Sequence, residues 1–381
     1  MTLTLLVFAP TRRAATETFV RANLEGLPFR TIAYFGDERP WAQPDRLAYG
    51  LAILVSKVLT RLRLLRLATL PGSVVALLLV RWHRPDVLLA EFGFHAVRVM
   101  EVAAWSGRPL VVHFRGSDAS ARDRLGRLER RYRRLLQLAS GVIVKSEPMR
   151  QTLLALGAPA ERLLVSPSGA DARWFSGSRP AEVGPVFLSV GRFVAKKGPL
   201  ETLRAFAQMR QTLPDALAEA VRLVMVGDGP LLPEARRLAQ ELGLNGAVCF
   251  QGLASREQVV ALMREARAFV QHSRVAPDGD SEGSPVAVME AQLCGLPVIA
   301  TRHAGIPEVV QEGHSGLLVA EGDVSGMASA MARLARDPAE AQRLGACGRQ
   351  IVGSRFTVSH HLEAVTGLLR AVAETRQTRR R

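Results

Sequence analysis

Apolar residues in this chain fall into short unbroken runs, separated by longer stretches where they recur every three or four positions. Mostly apolar runs occupy residues 2–8, 86–90, 109–114, 141–146 and 163–166, and then 186–190, 221–226, 248–250, 268–271 and 297–301. A strand that reads apolar on both sides is a parallel strand covered on both faces, not the half-solvated edge of a hairpin. Between the runs the period lengthens to that of a helix, at 16–24, 199–210, 231–242 and 256–267. Strand and helix thus alternate through most of the chain, which predicts doubly wound, Rossmann-like α/β folding. The alternation breaks once, at 173–185, where Ser, Gly and Pro accumulate. The pattern therefore predicts two domains, 1–178 and 179–355, followed by a helix and basic tail over 356–381. Ligands of such sheets bind at the carboxyl ends of the strands, and a two-domain version places the site in the cleft between them.

Composition narrows this picture. At 381 residues the chain exceeds one ordinary core, and 48% hydrophobic with 22% charged residues describes a folded protein. Cys249, Cys294 and Cys347 are odd in number and widely spaced, so they read as small apolar residues in a reducing compartment. The start MTLTLLVFAP lacks a charged leader, and no apolar run reaches the length of a membrane span. Together these point to a cytoplasmic protein, at most attached to the inner face of a membrane. The net charge of +15 is uneven: residues 1–180 hold 27 Lys/Arg against 14 Asp/Glu, and residues 181–381 hold 23 against 21. The first half therefore asks for an anionic partner, whether membrane, phosphorylated lipid or nucleic acid. Between Asp45 and Asp86 stand seven bases and no acid, interleaved with LAILV, LRLLRL and VVALLLV. That stretch suits contact with an anionic membrane, and it equally suits a helix pair with solvated arginines. The seven arginines of 122–134 read as a solvated helix face.

The chemistry concentrates in 278–308, DGDSEGSPVAVMEAQLCGLPVIATRHAGIPE. Ser284 suits an N-cap and Pro285 the first helical position, so a helix is predicted to start there. Glu282 then lies by the positive end of the helix dipole, and Glu290 lies within an otherwise apolar helix where it needs a polar partner. Such a helix mouth suits a nucleotide sugar; taken alone, the same acids read as a cap and a salt bridge. After the run 186–190 come Gly191, Arg192, Lys196 and Lys197, a glycine with forked and point cations, which reads as a diphosphate clamp or as ordinary surface bases. Gly227-Asp228-Gly229 and Gly252-Leu253 end the next two runs. In the first half, Glu91 ends one run, and His113 and Arg115, two apart in extended chain, end another just before Asp118.

These residues carry a resemblance. LSVGRFVAKKG, LVMVGDGP, FQGLAS and EGSPVAVMEAQLCGLPVIATRHAGIPEVV, over 183–325, resemble the family-4 retaining glycosyltransferases of GT-B fold in order and spacing. The first half is similar more loosely, through ETFV, HFRGSD and SPSGAD, and the end after Phe356 resembles the helix that returns to the first domain. APDGDSEGSPVAVMEA looks like enzymes of bacterial exopolysaccharide assembly. The resemblance implies an acceptor-binding first domain and a second domain binding an NDP-sugar such as a UDP- or GDP-sugar. It implies that Arg192 and Lys197 meet the diphosphate, that Glu290 holds the ribose, and that Glu282 with Gly283, Ser284, Pro285 and Val286 holds the sugar. Gly191 and Gly227 would line the same edge, with Gly252 and Leu253 near the base. On the acceptor side it implies Glu91, Arg115 and Asp118, with His113 donating to a sugar hydroxyl or the transition state. The family commonly has histidine at the position of Arg115, and a glycine-rich loop where this chain has Ala9-Pro10-Thr11. It implies no metal and no cofactor, transfer with retention, and a saccharide or lipid-linked acceptor. Asp278-Gly279-Asp280 matches a metal pattern but falls in the sugar loop. Same-fold alternatives are a nucleotide-sugar epimerase or a phosphorylase. A basic nucleic-acid-binding protein is disfavoured by 6% aromatic residues and no stacking motif.

Overall fold

The computed structural model describes residues 3–11, 18–38 and 47–378. Thr2, Thr16, Glu17, Asp45, Arg46 and, in the basic tail, Arg379, Arg380 and Arg381 lie outside these. The chain divides into two compact units, residues 1–167 with 361–381, and residues 168–360.

In the first unit, six parallel strands lie in the order β2-β1-β3-β4-β5-β6. They are β1 (Thr4–Ala9), β2 (Arg30–Phe35), β3 (Val87–Glu91), β4 (Leu110–His113), β5 (Gly141–Val144) and β6 (Leu163–Val165). One face, including Leu6, Leu88, Val112 and Val142, packs under a helical layer. That layer contains α2 (Leu47–Arg61), α3 (Leu70–His83), α4 (Glu101–Ser106) and α5 (Arg122–Leu138); α1 (Thr18–Gly26) lies between β1 and β2 in sequence. The other face, with Leu5, Val7, Leu89 and Ile143, packs against Val365, Leu369 and Val372 of the last helix.

In the second unit, six parallel strands lie in the order β12-β11-β10-β7-β8-β9. They are β7 (Val186–Val190), β8 (Arg222–Val226), β9 (Val248–Gly252), β10 (Ala268–Gln271), β11 (Val298–Thr301) and β12 (Gly316–Val319). Relevant helices are α6 (Pro199–Thr212), α7 (Val286–Cys294) and α8 (Val358–Thr378), the last running from this unit into the first. Strand order reverses between β7 and β10, which opens a crevice at their carboxyl ends.

Both sheets are the doubly wound parallel sheets that the apolar runs predict. Two strands, β2 and β12, carry no signal among those runs, and both are edge strands. An edge strand is covered less and needs no long apolar run, and β2 is exposed or half-buried over its first four residues; β12, GLLV, is buried over Gly316–Leu318, and its edge position does not account for it. The break between units falls at Pro167/Ser168. Ala170 bridges to Thr357 and Phe175 is buried with Leu188 and Met289, so the start of the Ser/Gly/Pro-rich stretch packs with the second sheet.

Candidate functional site

The β7/β10 crevice collects most of the residues singled out in the second half. Beyond β7, Gly191 and Arg192 lead to a 3-10 turn, Ala195–Lys197, and to Gly198 at φ +55°. A Cβ on Gly198 would lie 1.9 Å from the His272 carbonyl oxygen, so only glycine lets the turn press against the chain leaving β10. Gly227 is held likewise: a Cβ there would lie 2.0 Å from the Gly191 carbonyl. The loops after β7, β8 and β9 are stitched by Gly191 N–H to Val226 O at 2.9 Å and Gly227 N–H to Gly252 O at 2.8 Å. Leu253 follows with 81% of its surface exposed.

The turn aims two lysines at the loop before α7. Lys197 Nζ lies 3.0 Å from Glu282 Oε1, and Lys196 Nζ lies 3.0 Å from Asp280 Oδ2. Burial works to raise the Glu282 carboxyl, but Lys197 and Lys196 outweigh it and hold the pKa below the ordinary carboxylate value. The Glu282 N–H donates to His303 Nε2 at 3.1 Å, and His303 Nδ1 lies 2.6 Å from Glu321. Accepting through Nε2 assigns the His303 proton to Nδ1, facing the Glu321 carboxylate. The Arg192 guanidinium is exposed, with no ion pair or hydrogen bond among the described residues.

The start of α7 differs from the expected cap. Pro285, not Ser284, occupies the N-cap position, and no side chain caps the helix. The Ser284 hydroxyl instead accepts from Ser168 N–H at 3.0 Å, tying the loop to the segment that enters this unit. Gly283 and Pro285 are buried and Val286 half-buried. Glu290 stands in the second turn of α7, half-buried, with no hydrogen bond or ion pair among the described residues. Burial raises its pKa to about 7, against the pull of Arg256 and Lys197, with Asp171 adding to the rise. Asp171 is itself held low, chiefly by its hydrogen bonds with Arg173. Asp280 of the Asp-Gly-Asp pattern is engaged by Lys196 and by its own N–H to Asp278 at 3.0 Å.

A second cluster lies at the carboxyl ends of β3 to β6 in the first unit. Glu91, His113, Arg115 and Asp118, expected together, are all buried there. Glu91 Oε2 accepts from Arg115 Nε at 2.9 Å and Nη2 at 2.6 Å, and His113 Nδ1 lies 3.4 Å away. Arg115 is therefore committed to a carboxylate of its own chain. His113 is fully buried and its pKa falls well below the ordinary value, first by desolvation and then by Arg115 and Lys145. Its Nε2 has no partner among the described residues. Asp118 accepts N–H bonds from Gly93, Arg115 and Gly116; burial raises its carboxyl while these bonds oppose the rise. Between Glu91 and Gly93, Phe92 sits at φ +67°, a backbone strain of about 1–3 kcal/mol of the kind found where a loop is held for a task.

Four members of this cluster escaped the motif reading: Asn23, Lys145, Ser166 and His361. Asn23 donates to Glu91 at 2.9 Å and lies 3.2 Å from His361 Nε2, while His361 Nδ1 lies 2.6 Å from the Ser166 hydroxyl. Lys145 is buried and donates to the Ser166 carbonyl at 3.1 Å; desolvation and Arg115 hold its pKa well below the ordinary lysine value. A cavity of about 550 Å³ also lies in this unit, lined by Arg108, Pro109, Gln137, Ser140 and Arg162. It sits at the amino ends of β4 and β5, the edge where parallel sheets of this kind do not place ligands.

Residues 171–351 match the model described as glycosyl transferases group 1, and residues 10–169 match the glycosyl transferase 4-like domain. WcaL of Escherichia coli, provisionally named a colanic acid biosynthesis glycosyltransferase, is 33% identical over 255 residues, 65% of this chain and 61% of that one. The amylovoran biosynthesis glycosyltransferase AmsK of Erwinia amylovora is 30% identical over 276 residues, 71% of this chain and 66% of that one. The chain thus spans a little under two thirds of the length of these relatives. In fold it is similar to Anabaena HepE solved with UDP, at TM-score 0.76 and 20% identity, covering 97% of this chain and 100% of that one.

Proposed function

Since the chain belongs to the group 1 glycosyl transferases, with a 4-like first domain and the GT-B fold, we propose that it moves a hexose from an NDP-sugar to a saccharide or lipid-linked acceptor. The product belongs to exopolysaccharide, lipopolysaccharide or another cell-envelope glycan, a reading favoured by the names of WcaL and AmsK. A UDP- or GDP-sugar is the donor, and HepE, solved with UDP, supports this choice of ligand. The reaction takes place on the cytoplasmic side, at or near an anionic membrane face.

The observation that carries the reading is Glu290, an unpartnered half-buried carboxyl on an apolar helix whose mouth also holds the Lys197–Glu282 pair. In the proposed complex Glu290 accepts from ribose hydroxyls, and Glu282 with the backbone of 283–286 holds the sugar. Lys197 and Arg192 meet the diphosphate, where negative charge builds as the glycosidic bond stretches. The bond from the anomeric carbon to the diphosphate oxygen breaks, and the acceptor oxygen bonds to the same face of that carbon. The acceptor proton passes to the departing diphosphate, and configuration is retained. The chain's cations and the helix mouth meet the leaving charge, with no metal required. On the acceptor side, His113 in its neutral form supports a sugar hydroxyl, and Glu91, Arg115 and Asp118 fix its surroundings.

The test is transfer from a panel of UDP- and GDP-sugars, with and without chelator, and with the anomeric configuration of the product read by NMR. Retained configuration at an undiminished rate in chelator supports the reading. An inverted product, a chelator-abolished rate or turnover with no NDP-sugar would each sink the part it addresses.

A further inference from the structure

Among the described residues, thirteen of the eighteen exposed large apolar side chains fall between Leu47 and Trp82. They form stripes. On α2, Leu47, Leu51, Leu54 and Val58 recur at helical spacing and are 40–50% exposed. On α3, Leu70, Val74 and Leu78 follow at intervals of four and lead to Trp82, which is 84% exposed. The inward side of α2 is also apolar or small, with Tyr49, Ala52 and Ile53 buried. A helix apolar all round is ordinarily enclosed by protein or by lipid, and here one side faces out. The two helices pack side by side, so the two stripes stand on adjacent elements. Exposed apolar side chains concentrated in this way on two adjacent helices of a folded protein mark an interaction site.

The charges around it select the partner. Arg61 ends α2 and Arg63 and Arg66 follow it, while Arg81 and Arg84 stand at the end of α3, all exposed. The bases thus stand at the ends of the helices, while the stripes between them stay apolar. No acid occurs from 47 to 85. The flanking acids are engaged: Asp37 pairs with Lys57 at 2.9 Å and Asp86 accepts from Thr4 N–H at 2.8 Å. Beyond α3 in the same layer, α4 exposes Trp105, and α5 exposes Arg122, Arg127 and Arg130. An apolar middle with cationic ends matches one leaflet, where acyl chains lie beneath a phosphate layer. No helix among the described residues is long and apolar enough to cross a membrane.

We propose that the α2–α3 hairpin is a monotopic membrane-docking element, its Leu/Val stripes seated among the acyl chains of an anionic bilayer and its arginines on the lipid phosphates. This deepens the placement of the reaction at an anionic membrane face and rests on it only there, because docking is measured without turnover. The experiment is flotation of the full chain with phosphatidylcholine vesicles, with and without phosphatidylglycerol, over a salt series. Binding is expected to phosphatidylglycerol vesicles at low salt, and to weaken as salt screens the headgroups. Leu54→Glu with Leu78→Glu is expected to weaken binding by about tenfold or more, from the lost apolar burial. Arg61→Gln with Arg66→Gln is expected to weaken it by roughly 30-fold, at about fivefold per base near the surface. All four positions are exposed, and unchanged melting temperature with unchanged transfer to a soluble saccharide confirms intact variants. Failure of the folded wild type to float, or flotation of the double leucine variant at wild-type strength, overturns the proposal. So does a dimer in light scattering that Leu54→Glu with Leu78→Glu converts to monomer, since the surface then faces a second copy. Loss of transfer with intact flotation would count against the donor site and leave the docking element standing.

Discussion

At the scale of single residues, Glu290 sets function against stability. Its pKa of about 7 lies above the 4.5 of an ordinary glutamate, so the folded state holds the proton more tightly than the unfolded chain does. That sign means its contribution is fully present below about pH 4.5 and is lost as pH rises through 7, by at most about 3 kcal/mol, less to the extent that water reaches a half-buried group. Glu290→Gln is therefore expected to raise stability by about 1–2 kcal/mol at pH 8 and by little at pH 5, while abolishing transfer. Urea unfolding at the two pH values with a parallel rate assay checks both halves. Lys197→Ala removes a cation from the developing diphosphate charge and is expected to lower kcat about 10²- to 10³-fold with the fold retained. Near-wild-type kcat in that variant would remove Lys197 from its role. The donor residues were legible because they lie close together in sequence and carry a motif. Asn23 and His361, 338 positions apart yet 3.2 Å from one another, were not, since no local pattern joins them.

At the scale of elements, tight turns hold the site and apolar faces hold the elements. Gly198→Ala would force a Cβ into the His272 carbonyl at a positive φ, and a cost of at least about 2 kcal/mol is expected. Donor affinity should fall with it, because Lys197 is carried by the same turn; denaturant midpoints and donor titration read the two effects. Leu369 of α8 is 1% exposed in the core under β1 and β3, so Leu369→Ala is expected to cost about 2–5 kcal/mol, measured by urea unfolding. Central strands were legible as unbroken apolar runs because both faces are covered. The edge strand β2 was not, for the physical reason that an edge tolerates polar and exposed residues; β12, apolar and buried over Gly316–Leu318, has no such explanation. Ser284 has the right chemistry for the α7 cap, but its hydroxyl is engaged by Ser168, which only the folded chain brings near.

At the scale of the whole molecule, the imbalance of charge and the division into two units are both visible in the sequence, and the exposure of the α2–α3 stripes is not. Apolar periodicity says that a helix has a greasy side without saying what covers it. A nucleotide sugar held by the second unit should raise the melting temperature of the intact chain, by about 2.7 kcal/mol of stability at a hundred times its Kd. A screen of UDP- and GDP-sugars by thermal shift checks this and ranks the donors. One feature of the architecture bears on how the protein is made. The first sheet is covered on one face by Val365, Leu369 and Val372 of α8, yet residues 168–360 are translated in between. At about 5–20 residues per second, the last strand of that sheet leaves the ribosome roughly 10–40 s before the helix that shelters Leu5, Val7 and Leu89. During that interval a nascent chain carries an open apolar sheet face, the kind of surface that is prone to aggregation and that chaperones cover, until α8 arrives.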